Sequence, residues 1–236
     1  MGCKKYKRVA LIGLDGSGKS ANIDKMKKDK DYTNYNFVWV RWKPTLLKPT
    51  YWLLEKNINK KSTSSNNEFT SFIPSKNTPD QVKLNSDYNT KSGMKDKIFK
   101  NPVIKNIWMI LAIVDYVIQF QLKTIALTLG KKNVIFDRFY FDLFVDQGIN
   151  FGYTPAQIEK EIRRFQWLFP KMDQIVYIRV SPETCFKRKD DIPNMVYLLK
   201  RYDIYEHLSK GGIWTFVDGE EAFKTVNGNI KKEILG

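Results

Sequence analysis

Within Gly13-Leu14-Asp15-Gly16-Ser17-Gly18-Lys19-Ser20, three glycines, a lysine and a hydroxyl stand at the spacing G-x-x-x-x-G-K-[ST]. Glycines let a backbone turn tightly enough to aim successive N–H groups at phosphate oxygens, and a helix opening just after them adds the positive end of its dipole. In such a loop Gly13, Gly16, Ser17 and Gly18 form the cradle, Lys19 reaches the outer phosphates as a point charge, and the Ser20 hydroxyl ligates the Mg²⁺ that accompanies a nucleoside triphosphate. The chemistry this pattern serves is the binding of a triphosphate such as ATP.

A second group follows at Val134-Ile135-Phe136-Asp137-Arg138, where apolar residues run up to an acid. Beside a phosphate loop, a carboxylate at a strand end meets Mg²⁺ directly or through water, which makes Asp137 the second candidate metal residue with Ser20. Arg138 can hold a phosphoryl or carboxylate group bidentately, which a lysine does less well. His207, the single histidine, is read as a packing or solvent-facing residue.

Strands must end at these groups to bring them together. Val9 to Ile12 reads as a short buried strand feeding the loop, and Ala21 to about Lys28 as the helix after it. Phe37 to Trp42, stopped by Lys43-Pro44, reads as a second strand ending in Arg41, at the edge where α/β sheets place ligands. Ile107 to Leu129 is a long apolar helix closed by Gly130 and cations. Asp115, Gln119, Gln121 and Lys123 make it costly in hydrocarbon, so it is expected to be a buried helix on a sheet, with Asp115 in need of a partner. Pro155 to Leu168 reads as an amphipathic helix, Asp173 to Val180 as a strand, and Ser181-Pro182-Glu183 as a helix start. Asp190 to Asn194 breaks that helix, Val196 to Leu208 resumes it, and Ile213 to Asp218 is a last strand before a short closing helix. Strands alternating with helices predict a parallel sheet with helices on both faces.

The chain has 236 residues, 42% of them hydrophobic, which is enough for one large domain with a real core. From about residue 56 to 105 the composition shifts to Asn, Lys, Ser, Thr and Asp, and a long polar insertion is expected there. The net charge of +15 attracts nucleic acid, anionic membrane surfaces and anionic small molecules alike, and a solvated basic surface is an equal reading. Without a recognised motif, nucleic acid is not expected as a partner. Cys3 and Cys185 lie far apart and imply neither a disulfide nor a zinc site. With no apolar signal ahead of the first strand, a cytoplasmic location is expected.

Taken in order, the Gly-Leu-Asp-Gly-Ser-Gly-Lys-Ser loop, a strand ending Arg-x-Lys-Pro, a long apolar helix with Asp115, Phe-Asp-Arg-Phe-Tyr, Asp-Gln-Ile-Val-Tyr-Ile-x-Val-Ser-Pro-Glu with Arg188 soon after, and a last strand reaching Asp218-Gly219 form a recognisable series. It resembles thymidylate kinase and its nucleoside-monophosphate kinase relatives, over most of the chain except the insertion. The resemblance implies a P-loop NTPase three-layer α/β sandwich with a parallel five-stranded sheet, using ATP and Mg²⁺. By it, Lys19 and Ser20 serve ATP·Mg²⁺, Asp15 faces the acceptor, Asp137 sits near the metal, and Arg138 holds the acceptor phosphate. Arg41, Asp115 and Tyr140 join the acceptor side. Arg188, Lys189 and Arg201 belong to a short basic lid at about 187–201, with Arg188 counted among the catalytic and ATP-binding groups.

The departures fall on the acceptor side. Asp115 is followed by Tyr116 where the family carries arginine, and Phe141-Asp142-Leu143-Phe144-Val145-Asp146 replaces the usual continuation after Asp-Arg. That continuation is similar to thymidylate kinase-like proteins encoded with surface-polysaccharide genes, whose acceptor need not be a nucleotide. Three functions therefore stand as expectations: transfer of the ATP γ-phosphoryl to a monophosphate such as dTMP, transfer to a sugar or glycan hydroxyl, or ATP binding without transfer. A GTPase is disfavoured, since no Asn-Lys-x-Asp stretch follows a strand. Expected partners are a small-molecule phosphate acceptor and a second copy of the chain, with no membrane span and at most peripheral contact with an anionic surface.

Overall fold

The computed structural model describes residues 6–45, 99–130, 132–211 and 214–236. β1 (Arg8–Gly13) is the central strand, with Val9 to Ile12 fully buried. A strand apolar on both faces must be covered on both, and this dictates helices above and below a parallel sheet. β2 (Tyr35–Trp39), β3 (Asn133–Asp137), β4 (Gln174–Arg179) and β5 (Trp214–Asp218) join it in the order β2-β3-β1-β4-β5, every pair parallel. From β1 the chain runs out to β2 at one edge, returns through β3 beside β1, and then crosses to β4 on its other side, so a crevice opens at the carboxyl end of β1, where ligands bind in such sheets. The register puts Asp137 beside Leu11 and Ile178 beside Gly13, so the ends of β3 and β4 flank the glycine loop.

The helices are α1 (Lys19–Lys27), α2 (Pro102–Leu129), α3 (Tyr140–Asn150), α4 (Pro155–Phe165), α5 (Pro182–Arg188), α6 (Met195–Ser209) and α7 (Phe223–Leu235). One strand and two helices differ from the sequence-based expectation. β2 stops at Trp39, so Arg41 lies just beyond the strand rather than in it. α2 begins at Pro102, inside the expected insertion, and Phe99 ahead of it is already buried between Trp108 and Phe151. The rest of that insertion, and Cys3, lie outside the described residues. α3 is a helix that the aromatic run Tyr-Phe-Asp-Leu-Phe does not announce.

α2 is also only half of what its pattern suggests. Met109, Ala112, Ile113, Tyr116, Phe120 and Thr124 are buried, the i, i+3, i+4 stripe of a helix laid on a core. Its opposite face leaves Val103, Ile107, Ile110, Val114, Ile118, Leu122, Ile125 and Leu129 exposed. The helix is long and apolar enough to cross a membrane by length and composition. Its three charged residues turn toward the protein: Lys105 Nζ donates to the Phe151 carbonyl (2.7 Å), Lys123 Nζ to that of Trp39 (3.2 Å), and Asp115 is buried.

Candidate functional site

The phosphate loop is built as its spacing requires. At Gly16, with φ 91°, a Cβ would stand 2.5 Å from the Cys185 carbonyl oxygen, so only glycine lets the loop dock on α5. Gly13 is held as closely, 2.7 Å from the Ile178 carbonyl oxygen by the same measure. Lys19 is buried and folds back on the loop, donating to the carbonyls of Gly13 (2.8 Å) and Leu14 (2.5 Å) and to Ser17 Oγ (3.3 Å). These oxygens share one ammonium among several partial charges, which a triphosphate can outbid. Burial and the neighbouring Arg138 bring Lys19 down to about 8, against the pull of Asp15, Asp142 and Asp137. Ser20 is exposed at the first turn of α1, and Asn227 Nδ2 of α7 donates to Asn22 Oδ1 (3.1 Å), bracing that helix.

Asp15 is the centre of a second cluster. Its Oδ1 accepts from Arg138 Nη2, with Arg41 Nη1 at 4.0 Å, and its Oδ2 accepts from the Tyr197 hydroxyl at 2.7 Å. Arg138 spans two acids, since its Nη1 also donates to Asp142 Oδ1 (2.7 Å). It holds this fork with φ 72°, a left-handed backbone that costs a non-glycine residue about 1–3 kcal/mol and persists only where surroundings dictate it. Burial alone would raise the Asp15 carboxyl, but Arg138, Lys19, Arg41 and the Tyr197 hydroxyl together hold it well below the usual carboxylate range. Burial opposes charge on Arg138 as well, yet Asp142 and Asp15 keep it more firmly protonated than usual.

Asp137 differs from Asp15 in every respect. Its Oδ1 is buried without a hydrogen-bond partner among the described residues, and burial pushes its carboxyl up despite the nearby Lys19 and Arg138. A buried carboxylate oxygen with nothing to satisfy it, beside the triphosphate loop, fits a Mg²⁺ ligand, with the exposed Ser20 hydroxyl as the second oxygen.

The remaining expected site residues are placed elsewhere. Asp115 accepts from Trp42 Nε1 (3.2 Å), the Thr45 amide (3.0 Å) and Thr45 Oγ1 (2.6 Å), so it fastens the segment that carries Arg41 instead of lining the cluster itself. Tyr140 is buried in aromatic packing, stacked on Phe169 with centroids 4.5 Å apart, and burial raises it to about 12. Arg188 Nη1 donates to the Gly219 carbonyl (2.9 Å) just past the end of β5, and Lys189 pairs with Asp191 at 3.0 Å. Arg201 does reach the cluster's edge, pairing with Asp146 at 2.5 Å and lying 3.6 Å over the Tyr197 ring. Tyr197, Asp142 and Asp146 were not singled out as site residues. The i, i+4 spacings Arg138/Asp142 and Tyr197/Arg201 are the signals that could have found them.

No protein-family model matches the chain, and no curated protein matches it. Among solved structures, it is similar to deoxyadenosine kinase from M. mycoides with bound dATP, with a TM-score of 0.53 and 18% identity over 97% of this chain and 100% of that one. The same enzyme with products dCMP and dCDP bound, and with dCTP bound, gives TM-scores of 0.50 at 16% identity, covering 96% of this chain and 98% of the other in each case. Likeness at this identity is likeness of fold: a P-loop NTPase α/β fold with a five-stranded parallel sheet.

Proposed function

We propose that the chain is an ATP-dependent phosphotransferase of the thymidylate kinase-like kind, acting on a nucleoside monophosphate such as dTMP. The observation that carries this reading is the Asp15 cluster, with Arg138 and Arg41 converging on one carboxylate beside the Lys19 loop. Transfer to a phosphate oxygen needs no strong base, but it does need cations that hold an anionic acceptor in line with the γ-phosphoryl. Arg138 and Arg41 can exchange part of their hold on Asp15 for an acceptor phosphate. Asp15, kept ionised by its partners, is a poor proton acceptor and serves orientation instead. Lys19 neutralises charge on the transferring group. Mg²⁺, held by Ser20 and Asp137, would add Lewis-acid stabilisation there.

A second reading is favoured by Asp137. A buried carboxylate oxygen without a partner among the described residues, beside the phosphate loop, can serve as a general base for a hydroxyl when Mg²⁺ does not claim it. The structurally similar proteins are, by name, kinases of a nucleoside. Under this reading the acceptor is a nucleoside or a sugar. The test is ADP release against a panel of monophosphates, deoxynucleosides and sugars, with mass spectrometry of the product. Release with dTMP or another monophosphate supports the first reading, and release with deoxyadenosine or a sugar alone supports the second. ATP binding with no transfer to any of them assigns the chain to the non-catalytic class.

The state of Lys19 gives a test at the donor side. Burial brings Lys19 down to about 8, so part of the molecules are expected to lack its proton in mildly alkaline solution, and a bound triphosphate favours its return. ATP binding near pH 8 is therefore expected to take up a fraction of a proton, and affinity to weaken as pH rises through that region. Calorimetry in buffers of different ionisation enthalpy measures the uptake directly.

The outer face of α2 supports assembly with a second copy. Its 28 residues make a stripe about 40 Å long, with Asp115 buried and Lys105 and the exposed Lys123 tied by their ammonium groups to main-chain carbonyls beside the helix. On a twofold partner a stripe some 10 Å wide covers roughly 400 Å² per copy, about half of a standard interface before flanking residues add to it. Sedimentation should give a dimer that Val114→Asp converts to monomer. A monomeric wild type, or one that pellets with lipid vesicles, removes the second copy from the reading.

A further inference from the structure

We infer that α6 supplies a positioning residue for the acceptor side: Tyr197 orients the Asp15 carboxylate, and Arg201 fixes Tyr197. The inference rests on the reading of Asp15 as the acceptor-side carboxylate. Tyr197, Arg201 and Tyr205 stand at i, i+4 and i+8, on one face of α6. Each meets a different acid. The Tyr197 hydroxyl donates to Asp15 Oδ2 (2.7 Å), Arg201 Nη2 to Asp146 Oδ1 (2.5 Å), and Tyr205 bonds to Asp142. Asp142 and Asp146 belong to α3, whereas Asp15 belongs to the phosphate loop, so this one helical face ties the loop to the helix that follows Arg138.

The members of this face do different things. Tyr205 is fully enclosed and anchors α6 to the core, while Tyr197 is only half-buried, at the crevice. The Tyr197 ring is clamped: the Arg201 guanidinium lies over it at 3.6 Å, and Arg201 Nη1 donates to the Tyr197 carbonyl at 3.2 Å. The Tyr197 amide in turn donates to Asn194 Oδ1 (2.9 Å) at the start of α6, fixing the backbone that carries the ring. Asp15 is thereby held by both oxygens, Oδ1 on Arg138 and Oδ2 on Tyr197. Without the hydroxyl the carboxylate can turn on its glycine-rich loop and carry Arg138 with it. A misaligned Arg138 weakens acceptor binding while the Lys19 contacts that serve ATP stay as they are. α6 begins where the 189–194 segment ends, so the orientation of Asp15 is coupled to that segment.

The experiment compares Tyr197→Phe, Arg201→Lys and Asp15→Asn with wild type, using dTMP or the acceptor that replaces it in the panel. Tyr197→Phe is expected to raise KM for the acceptor about tenfold, the size of one hydrogen bond to a charged group, and to leave KM for ATP within about twofold. Arg201→Lys keeps a cation on Asp146 but loses the planar contact, and should shift the same constant in the same direction by less. In an Asp15→Asn background, Tyr197→Phe should add nothing further. A merely structural tyrosine would lower the melting temperature without this KM split, and would add its effect in the Asp15→Asn background. Either result overturns the inference. If Tyr197→Phe does not fold, the Arg201→Lys cycle with Asp15→Asn decides by the same criteria. A wild type that transfers to no acceptor discards the functional reading and the inference together, whereas an active wild type with unaltered variants discards the inference alone.

Discussion

Lys19→Ala is expected to lower ADP release by about 10³-fold, the upper range for removing one preorganised donor from a transferring group. Lys19 is the only charged side chain among the described residues that bonds the loop carbonyls of Gly13 and Leu14, and it reaches them from a buried position. Its loss removes the point charge that the spacing G-x-x-x-x-G-K-[ST] exists to place. Stability should respond far less, and the contrast is diagnostic. Burial disfavours the charged form of Lys19, so deleting the ammonium relieves that cost even as it leaves two carbonyls without a donor. Rate and melting temperature should therefore part company. Lys19→Arg should not rescue activity, because a planar fork replaces a compact ammonium on a flexible stem. Stopped assays of ADP release with thermal melts of the same samples check both. A variant keeping a tenth or more of the wild-type rate would overturn the phosphotransferase reading.

The phosphate loop is legible in the sequence and most of the Asp15 cluster is not, for physical reasons. Gly13 to Ser20 is a contiguous loop whose function depends on backbone shape, and backbone shape is written locally in glycine. Asp137 and Arg138 are legible because a strand end is marked by where its apolar run stops. The Asp15 cluster is assembled across the chain: Tyr197 meets Asp15 from 182 residues away, a pairing no local period encodes. Arg41 was expected as the last residue of a strand and lies past its end, held there by the Asp115 clasp on Trp42 and Thr45. Tyr140 illustrates a different loss. Residue type and position in the motif say nothing of which way a ring turns, and tertiary packing turns it onto Phe169. α3 was missed because aromatic and β-branched residues have weak helix propensity, which packing overrides. The outward face of α2 was missed for the opposite reason, since a helix apolar all round reads as buried all round.

Arg138→Ala is expected to cost about 3–5 kcal/mol of stability, because it leaves Asp15 and Asp142 as buried acids without their shared cation. For a chain of this size that is a fall of about 10 °C in melting temperature. The loss should depend on pH in a definite sense. Asp15 titrates in the folded protein below its ordinary 3.8, so the stabilisation it draws from its partners is fully present above 3.8 and disappears as pH falls through the lower folded value. The gap in melting temperature between wild type and Arg138→Ala should therefore be widest at neutral pH and narrow with acidification as the Asp15 left without Arg138, whose carboxyl burial raises, takes up its proton before the wild-type one does. Asp15→Asn placed on Arg138→Ala should recover part of the loss, since it removes one of the two stranded charges. Catalytically, Arg138→Ala should raise KM for the acceptor far more than KM for ATP, because Arg138 bonds Asp15 and Asp142 and makes no contact with the Lys19 carbonyls. Arg138→Lys separates the two effects. A lysine can partly compensate the acids, and so restore stability, but it cannot span Asp15 and Asp142 with a rigid fork or grip a phosphate bidentately. Melting curves across pH and paired KM measurements test the claim. An Arg138→Lys variant with wild-type acceptor KM would remove Arg138 from the acceptor site and leave it as the tie between the phosphate loop and α3.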